Sequence, residues 1–189
     1  MKFAYADPPY FGRAAIWYGN KIGVTQLSKN YGGTSKVGYK PANYHPDSKD
    51  WDDIETHKKL IKTLENEYDG FALSLAHDNL QTLLPLFSEK IKVCIWIKWT
   101  LPGGSIVVNN YEPVILKLPK GKKMAIAGKT IPDVLDCKTR PNKGFAGAKP
   151  DAFNKWILDL LNFQNGDTLD DLFPGTNGMS DAIASRLAV

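Results

Sequence analysis

Short apolar runs alternate with amphipathic segments along most of the chain. Runs rich in β-branched and aromatic residues predict strands at Lys2–Ala6, Phe71–Leu75, Ile91–Lys98, Glu112–Leu118 and Thr168–Phe173. Apolar residues spaced three and four apart predict helices at Ile54–Tyr68, Asp78–Phe87, Pro150–Phe163 and Asn177–Leu187. Strands that alternate with helices indicate an α/β layered fold with a mostly parallel sheet.

Two long segments follow neither period. Residues 11–50 are rich in Gly, Tyr, Lys and Asn and are interpreted as a loop or flap, whereas residues 119–148 form a predicted basic loop. Loops of this length are usually functional or disordered. The 189 residues are enough for one domain with a sizeable core, so a single domain is predicted over 1–189.

The composition is that of a soluble protein, with 43% hydrophobic and 23% charged residues. No apolar run approaches the roughly 20 residues of a membrane span. The N-terminal segment does not resemble a signal peptide, because it has one Lys and a Pro-Pro step by residue 9. The two Cys form no C-x-x-C pair and the three His lack the spacing of metal ligands, so no metal is predicted. A reduced, cytoplasmic protein is expected.

Charge is unevenly distributed although the net charge is only +4. Residues 117–149 hold nine Lys or Arg against two Asp, while residues 150–189 hold two basic and six acidic residues. This pattern favours one face that binds a polyanion, and a solvated Lys-rich loop is the alternative. The candidate phosphate-binding residues are Lys120, Lys122, Lys123, Lys129, Lys138, Arg140 and Lys143.

The tetrapeptide Asp7-Pro8-Pro9-Tyr10 (DPPY) directly follows the first predicted strand, where ligands bind in open α/β sheets. The Asp7 carboxylate can accept a hydrogen bond from an exocyclic amino group. The prolines fix φ and leave the Pro8 carbonyl without a competing N–H, so it can accept a second amino proton. Tyr10 offers a flat face on which a flipped base can stack. A surface turn with no catalytic role is the alternative.

Three further elements accompany DPPY. Residues 171–176 (DLFPGT) are similar to the cofactor motif D-x-F-x-G-[ST], and Lys149-Pro150 opens an apolar helix as a K-P element does. Residues 96–98 (WIK) and 110–113 (NYEP) resemble a W-x-K strand and an (H/Y)-E-P strand. Together and in this order they resemble the circularly permuted, beta-class-like DPPY amino-methyltransferases, in particular small phage-type DNA N6-adenine methyltransferases and the MT-A70 branch.

This resemblance implies a permuted Rossmann-like fold that binds S-adenosylmethionine. It also implies methyl transfer to an exocyclic amino group, with DPPY favouring adenine N6 in DNA, and the host cytoplasm as the location if the protein is phage-encoded. The catalytic half would be 1–118, including the flap, and the cofactor half 149–189. The implied catalytic residues are Asp7, Pro8, Pro9 and Tyr10, and the implied cofactor-binding residues are Lys149, Pro150, Asp171, Phe173, Gly175 and Thr176.

The residues of the late motif independently favour a ligand site. Glycine at 175 lets the backbone approach a ligand closely, and N–H groups at the start of a helix can meet a carboxylate. Phe173 either packs beneath an adenosine or fills the core. Asn177 stands where the family usually has Gly, and we expect it to keep the turn because Asn tolerates left-handed backbone angles. Trp51 is predicted to pack in the core or at its rim.

The sequence also departs from the family pattern after this turn. The family continues into a second strand whose acid binds the ribose, but here the chain ends at Val189 after the last predicted helix. A reduced sheet is therefore expected, with a cofactor site that is weak, completed by a homo- or hetero-oligomer, or lost. The alternatives left open are a catalytically silent nucleic-acid-binding module or heterodimer subunit, and an RNA adenine N6 methyltransferase.

Overall fold

The computed structural model describes residues 1–18, 46–98, 106–107, 109–119, 121, 130–137 and 148–188. The flap and the basic loop therefore lie largely outside the described residues. The same holds for all the candidate phosphate-binding residues, which are Lys120, Lys122, Lys123, Lys129, Lys138, Arg140 and Lys143. Their role in binding nucleic acid stays a prediction.

Six described strands form one sheet. They are β1 (Lys2–Ala6), β2 (Gly70–Ser74), β3 (Lys92–Ile97), β4 (Tyr111–Lys117), β5 (Val134–Asp136) and β6 (Thr168–Asp171). Their order across the sheet is β5-β3-β4-β2-β1-β6. Strand β4 is antiparallel to both of its neighbours, whereas the pairs β1–β2, β1–β6 and β3–β5 are parallel. The sheet is therefore mixed, with five strands running in one direction and β4 in the other.

The described helices are α1 (Ala14–Tyr18), α2 (Ile54–Glu67), α3 (Leu80–Leu83), α4 (Asp151–Leu160) and α5 (Gly178–Leu187), with 3-10 turns at Pro46–Asp52, His77–Asn79 and Leu84–Leu86. Asp53 caps α2 by accepting a hydrogen bond from the Glu55 N–H at 3.0 Å. Asp52 instead caps α1, because its carboxylate accepts from the N–H groups of Ala14 and Ala15 at 3.0 Å each. This contact ties residues 46–52 to the segment that follows DPPY.

The core lies on both faces of the sheet because side chains alternate along each strand. In β1, Phe3 and Tyr5 join a cluster with α4 and α5, while Ala4 and Ala6 join a cluster with α2 and α3. Helices thus cover both faces, as the α/β prediction required, and the architecture is consistent with a Rossmann-like fold. No helix in the described ranges is long and apolar enough to cross a bilayer.

Two elements differ from the sequence prediction. The single helix predicted at Asp78–Phe87 is broken into a 3-10 turn, the short α3 and another 3-10 turn. Pro85 lies in the second turn, where its ring and missing N–H prevent a continuous helix. Strand β5 lies in the segment that was predicted to be a basic loop. It has only three residues, too few for a visible period.

Candidate active site

Side chains from all four sequence motifs meet at one edge of the sheet. Asp7 directly follows β1, Asp171 ends β6 and Lys98 follows β3. Since β4 is antiparallel to these strands, its first residues, including Glu112, lie at the same edge. The carboxyl ends of parallel strands are the usual position of ligand sites in α/β sheets.

Lys149 joins these side chains into one chain of ion pairs. Its Nζ lies 3.0 Å from each carboxylate oxygen of Asp7 and 2.7 Å from Glu112 Oε1. Glu112 Oε2 in turn accepts from Lys98 Nζ at 2.8 Å. The side chains of Lys149 and Glu112 are only 10% and 4% exposed. Two cations and two carboxylates therefore balance one another at a largely buried position.

Tyr10 completes this group. Its hydroxyl donates to Asp7 Oδ1 at 3.3 Å and lies 3.4 Å from Lys149 Nζ. Burial and the nearby Asp7 carboxylate raise the pKa of Tyr10 well above its ordinary value, so the phenol stays a proton donor. The structure thus places Tyr10 against the carboxylate of its own motif, and Pro8 is buried.

Burial and the ion pairs act in opposite directions on the ionisable groups. Burial raises the pKa of Asp7; the charge of Lys149 opposes this shift and that of Glu112 adds to it. For Glu112, burial also favours the neutral acid, but Lys149 and Lys98 outweigh it and lower the pKa. For Lys149, burial favours the neutral amine, but Asp7 and Glu112 outweigh it and raise the pKa well above its ordinary value. The surroundings therefore stabilise the charged form of Lys149 and make Asp7 a more basic carboxylate than an ordinary aspartate.

A cavity of about 520 Å³ opens next to this group. Its volume falls in the range of small-molecule sites. Of the residues predicted from the sequence, it is lined by Asp7, Pro9, Lys149, Asp171, Phe173, Gly175 and Thr176. Pro150 has a different position, because it is the N-cap residue of α4. The structure thus brings Asp7 and Pro9 of DPPY together with most residues of the segment 171–176.

The turn after β6 has the backbone shape that its sequence predicts. Gly175 has φ 48° and Asn177 has φ 61°, so both are left-handed. The expectation that Asn177 keeps this turn in place of Gly is confirmed. Asp171 Oδ1 accepts from the Phe173 N–H at 3.3 Å, and burial followed by the nearby Asp7 raises the pKa of Asp171.

Several lining residues were not predicted as site residues. Trp51 lines the cavity and packs edge-to-face on Phe173, with ring centroids 5.0 Å apart, so Phe173 serves both the cavity wall and the core. Tyr5, Tyr18 and Asn154 line it as well. Asn154 had a detectable signal: it lies at the spacing of the apolar face of its helix, three residues before Ile157, where a polar residue needs an explanation.

A scan against models of known protein families and a search of the curated proteins both found no match for the chain. Within the described ranges, no three His, Cys, Asp or Glu side chains gather as a metal site would require.

Proposed function

We propose that the protein transfers the methyl group of S-adenosylmethionine to the exocyclic amino group of a base, with adenine N6 in DNA as the target. The observation that carries this proposal is the shared cavity. Asp7 and Pro9 line it together with Asp171 and the left-handed turn at 175–178. A group that can hold an amino nucleophile and a turn suited to a nucleoside cofactor thus face one space.

The residues present fit such a cofactor. The turn brings backbone close to the cavity at Gly175 and Gly178, and helix α5 begins there. Trp51 and Phe173 supply aromatic surface for an adenine ring. When bound, S-adenosylmethionine would supply an electrophilic methyl group. Lys149, Asp171, Phe173, Gly175 and Thr176 are the residues that would hold it.

The environment of Asp7 suits an acceptor for an amino group. A carboxylate offers about four acceptor positions, and contacts with Lys149 and Tyr10 use three of them. One position remains for an N–H of the base. Holding this proton orients the nitrogen lone pair, and the raised pKa of Asp7 strengthens its hydrogen bond. Lys149 keeps the carboxylate charged and aimed, and Glu112, itself paired with Lys98, holds Lys149 in place.

Calorimetry with the purified chain tests the proposal. We expect micromolar binding of S-adenosylmethionine and S-adenosylhomocysteine, followed by N6-methyladenine on mixed DNA substrates, detected by mass spectrometry. Methylation of RNA alone would reassign the substrate. Absence of cofactor binding would contradict the proposal and favour a silent module or a subunit whose partner completes the site.

The value of kcat/KM should fall at low pH, and the position of this acid limb of the pH profile should depend on Glu112. Asp7 must be ionised to accept the amino proton, and its raised pKa places the limb above the range of an ordinary aspartate. Glu112→Gln removes a charge that adds to this rise and leaves Lys149, which opposes it. We therefore expect the limb of kcat/KM to move to lower pH in the variant.

Thermal melts at each pH are the control for that profile. The folded-state pKa of Glu112 is lowered, so its contribution to stability is present above its ordinary pKa and is lost as pH falls through the lowered value. Only pH values at which both proteins are folded enter the comparison. An unmoved limb, or one that moves to higher pH, would contradict the assigned role of Glu112.

A further inference from the structure

Two consecutive residues join the wall of the cavity to the segment that follows DPPY. Trp51 lines the cavity. The carboxylate of the next residue, Asp52, accepts from the N–H groups of Ala14 and Ala15 at 3.0 Å each. The backbone between these two side chains therefore connects the cavity wall to the start of α1.

His57 fixes the peptide group between Trp51 and Asp52. It is 3% exposed, and its Nε2 lies 2.9 Å from the carbonyl oxygen of Trp51. A carbonyl oxygen only accepts hydrogen bonds, so Nε2 carries the proton and donates it. The rings of Trp51 and His57 also pack edge-to-face, with centroids 5.4 Å apart. Because the carbonyl belongs to the peptide that links the two side chains, His57 holds the Trp51 ring and the Asp52 carboxylate in one relative orientation.

Helix α1 leads from this contact back to the cavity. Ala14 and Ala15 are its first residues, so their N–H groups have no partner within the helix and depend on Asp52. Tyr18 is its last residue and lines the cavity together with Asp7. Burial, followed by the nearby charge of Asp7, raises the pKa of Tyr18. The position of Tyr18 beside Asp7 therefore depends on the cap that Asp52 provides.

A row of rings makes a second connection between the same parts of the site. Phe11 directly follows DPPY and packs edge-to-face on His57, with ring centroids 5.8 Å apart. At the other end of the row, Trp51 packs on Phe173. Buried rings in such contacts are closely packed and transmit strain. A change at the cavity wall is therefore expected to reach the segment after DPPY through His57.

Resting on the proposed function, we propose that His57 is a positioning residue that couples the cofactor wall of the cavity to the end that receives the base. A nucleoside packed on Trp51 immobilises that ring, and the fixed peptide then keeps Asp52 on α1. Helix α1 in turn holds Tyr18 beside Asp7. Bound S-adenosylmethionine thus fixes the base-binding end, and by linkage a bound base raises the affinity for the cofactor by the same factor.

Hydrogen exchange at the amides of Ala14 and Ala15, followed by NMR with and without saturating S-adenosylhomocysteine, tests this coupling. Both residues lie outside the cavity lining, so the ligand acts on them through the protein. In the wild type the ligand should slow their exchange about 5- to 150-fold, the range of typical coupling free energies. In His57→Ala the bound ligand should slow it less than about twofold. The matched control is Lys58→Gln, the next residue on α2, whose ammonium pairs with Glu55 at the surface and whose loss should leave the ligand effect unchanged.

A purely structural role of His57 gives a different result. Its loss would then speed exchange in free and ligand-bound protein alike, and the ratio between them would stay that of the wild type. That outcome, or wild-type exchange that does not respond to bound ligand, would overturn the coupling and leave the proposed function intact. Wild-type protein that binds no S-adenosylhomocysteine would overturn the proposed function itself.

Asp52→Ala is the second variant, and it applies even if His57→Ala fails to fold. The exchange of Ala14 and Ala15 should then be fast and unaffected by bound ligand, because the cap of α1 is gone. Single-turnover methyl transfer at saturating cofactor should also fall, since Tyr18 is no longer held beside Asp7. Slowing by the ligand that persists without Asp52 would contradict the proposed route.

Discussion

Replacing Asp7 with alanine should lower methyl transfer by at least about 100- to 1000-fold, the range for loss of one positioned group in an active site. The variant loses the acceptor that holds the amino nitrogen, but the turn at 175–178 and Asn154 are untouched. Affinity for S-adenosylhomocysteine should therefore stay within about threefold. Single-turnover rates and calorimetry on the same preparation separate these two quantities.

Two variants control for indirect effects of this change. Asp7→Asn keeps the shape but removes the charge, and we expect nearly the same loss of rate because the neutral amide is a weaker acceptor. Asp78→Ala removes an exposed carboxylate that pairs with Arg13 close to DPPY, and its rate should be unchanged. Retained activity in Asp7→Ala would rule out the proposed mechanism, whatever the cofactor affinity.

Local sequence patterns predicted the elements of this fold better than their arrangement. The helix at Ile54–Glu67 and five of the six described strands follow clear periods in the sequence. The direction of β4 follows instead from long-range pairing, such as Trp96 opposite Glu112, which no local period contains. The short β5 was not predicted, because it has too few residues to show any period.

The candidate site likewise combines features with a local sequence signal and features that depend on long-range contacts. DPPY and the turn after β6 were recognisable in the sequence because their signals are local, and the left-handed Asn177 confirms the predicted shape of the turn. The ion pair of Lys149 with Asp7 joins residues 142 positions apart, so it depends on the whole sheet. Lys98 and Glu112 were visible only as parts of a resemblance, and the antiparallel β4 explains why Glu112 lies between Lys98 and Lys149.

The largest effect on stability is expected for Lys149→Met. Methionine keeps much of the volume but leaves the carboxylates of Asp7 and Glu112 close together with only Lys98 to compensate them. Breaking a buried ion pair by removing one partner costs about 3–5 kcal/mol. We expect the free energy of unfolding at neutral pH to fall by that amount, as measured by urea denaturation with an unchanged m-value.

The dependence of this effect on pH distinguishes charge from packing. The folded-state pKa of Lys149 is raised, so at the alkaline end its contribution is kept up to the ordinary lysine pKa and is lost as pH rises through the raised value. In acid, protonation of Asp7 and Glu112 removes the charges that Lys149 compensates, so the difference between variant and wild type should shrink. The double variant Lys149→Met with Glu112→Gln should regain part of the lost stability, because one uncompensated carboxylate is gone. A loss that is constant with pH, or a double variant less stable than Lys149→Met, would mean that Lys149 acts through packing alone.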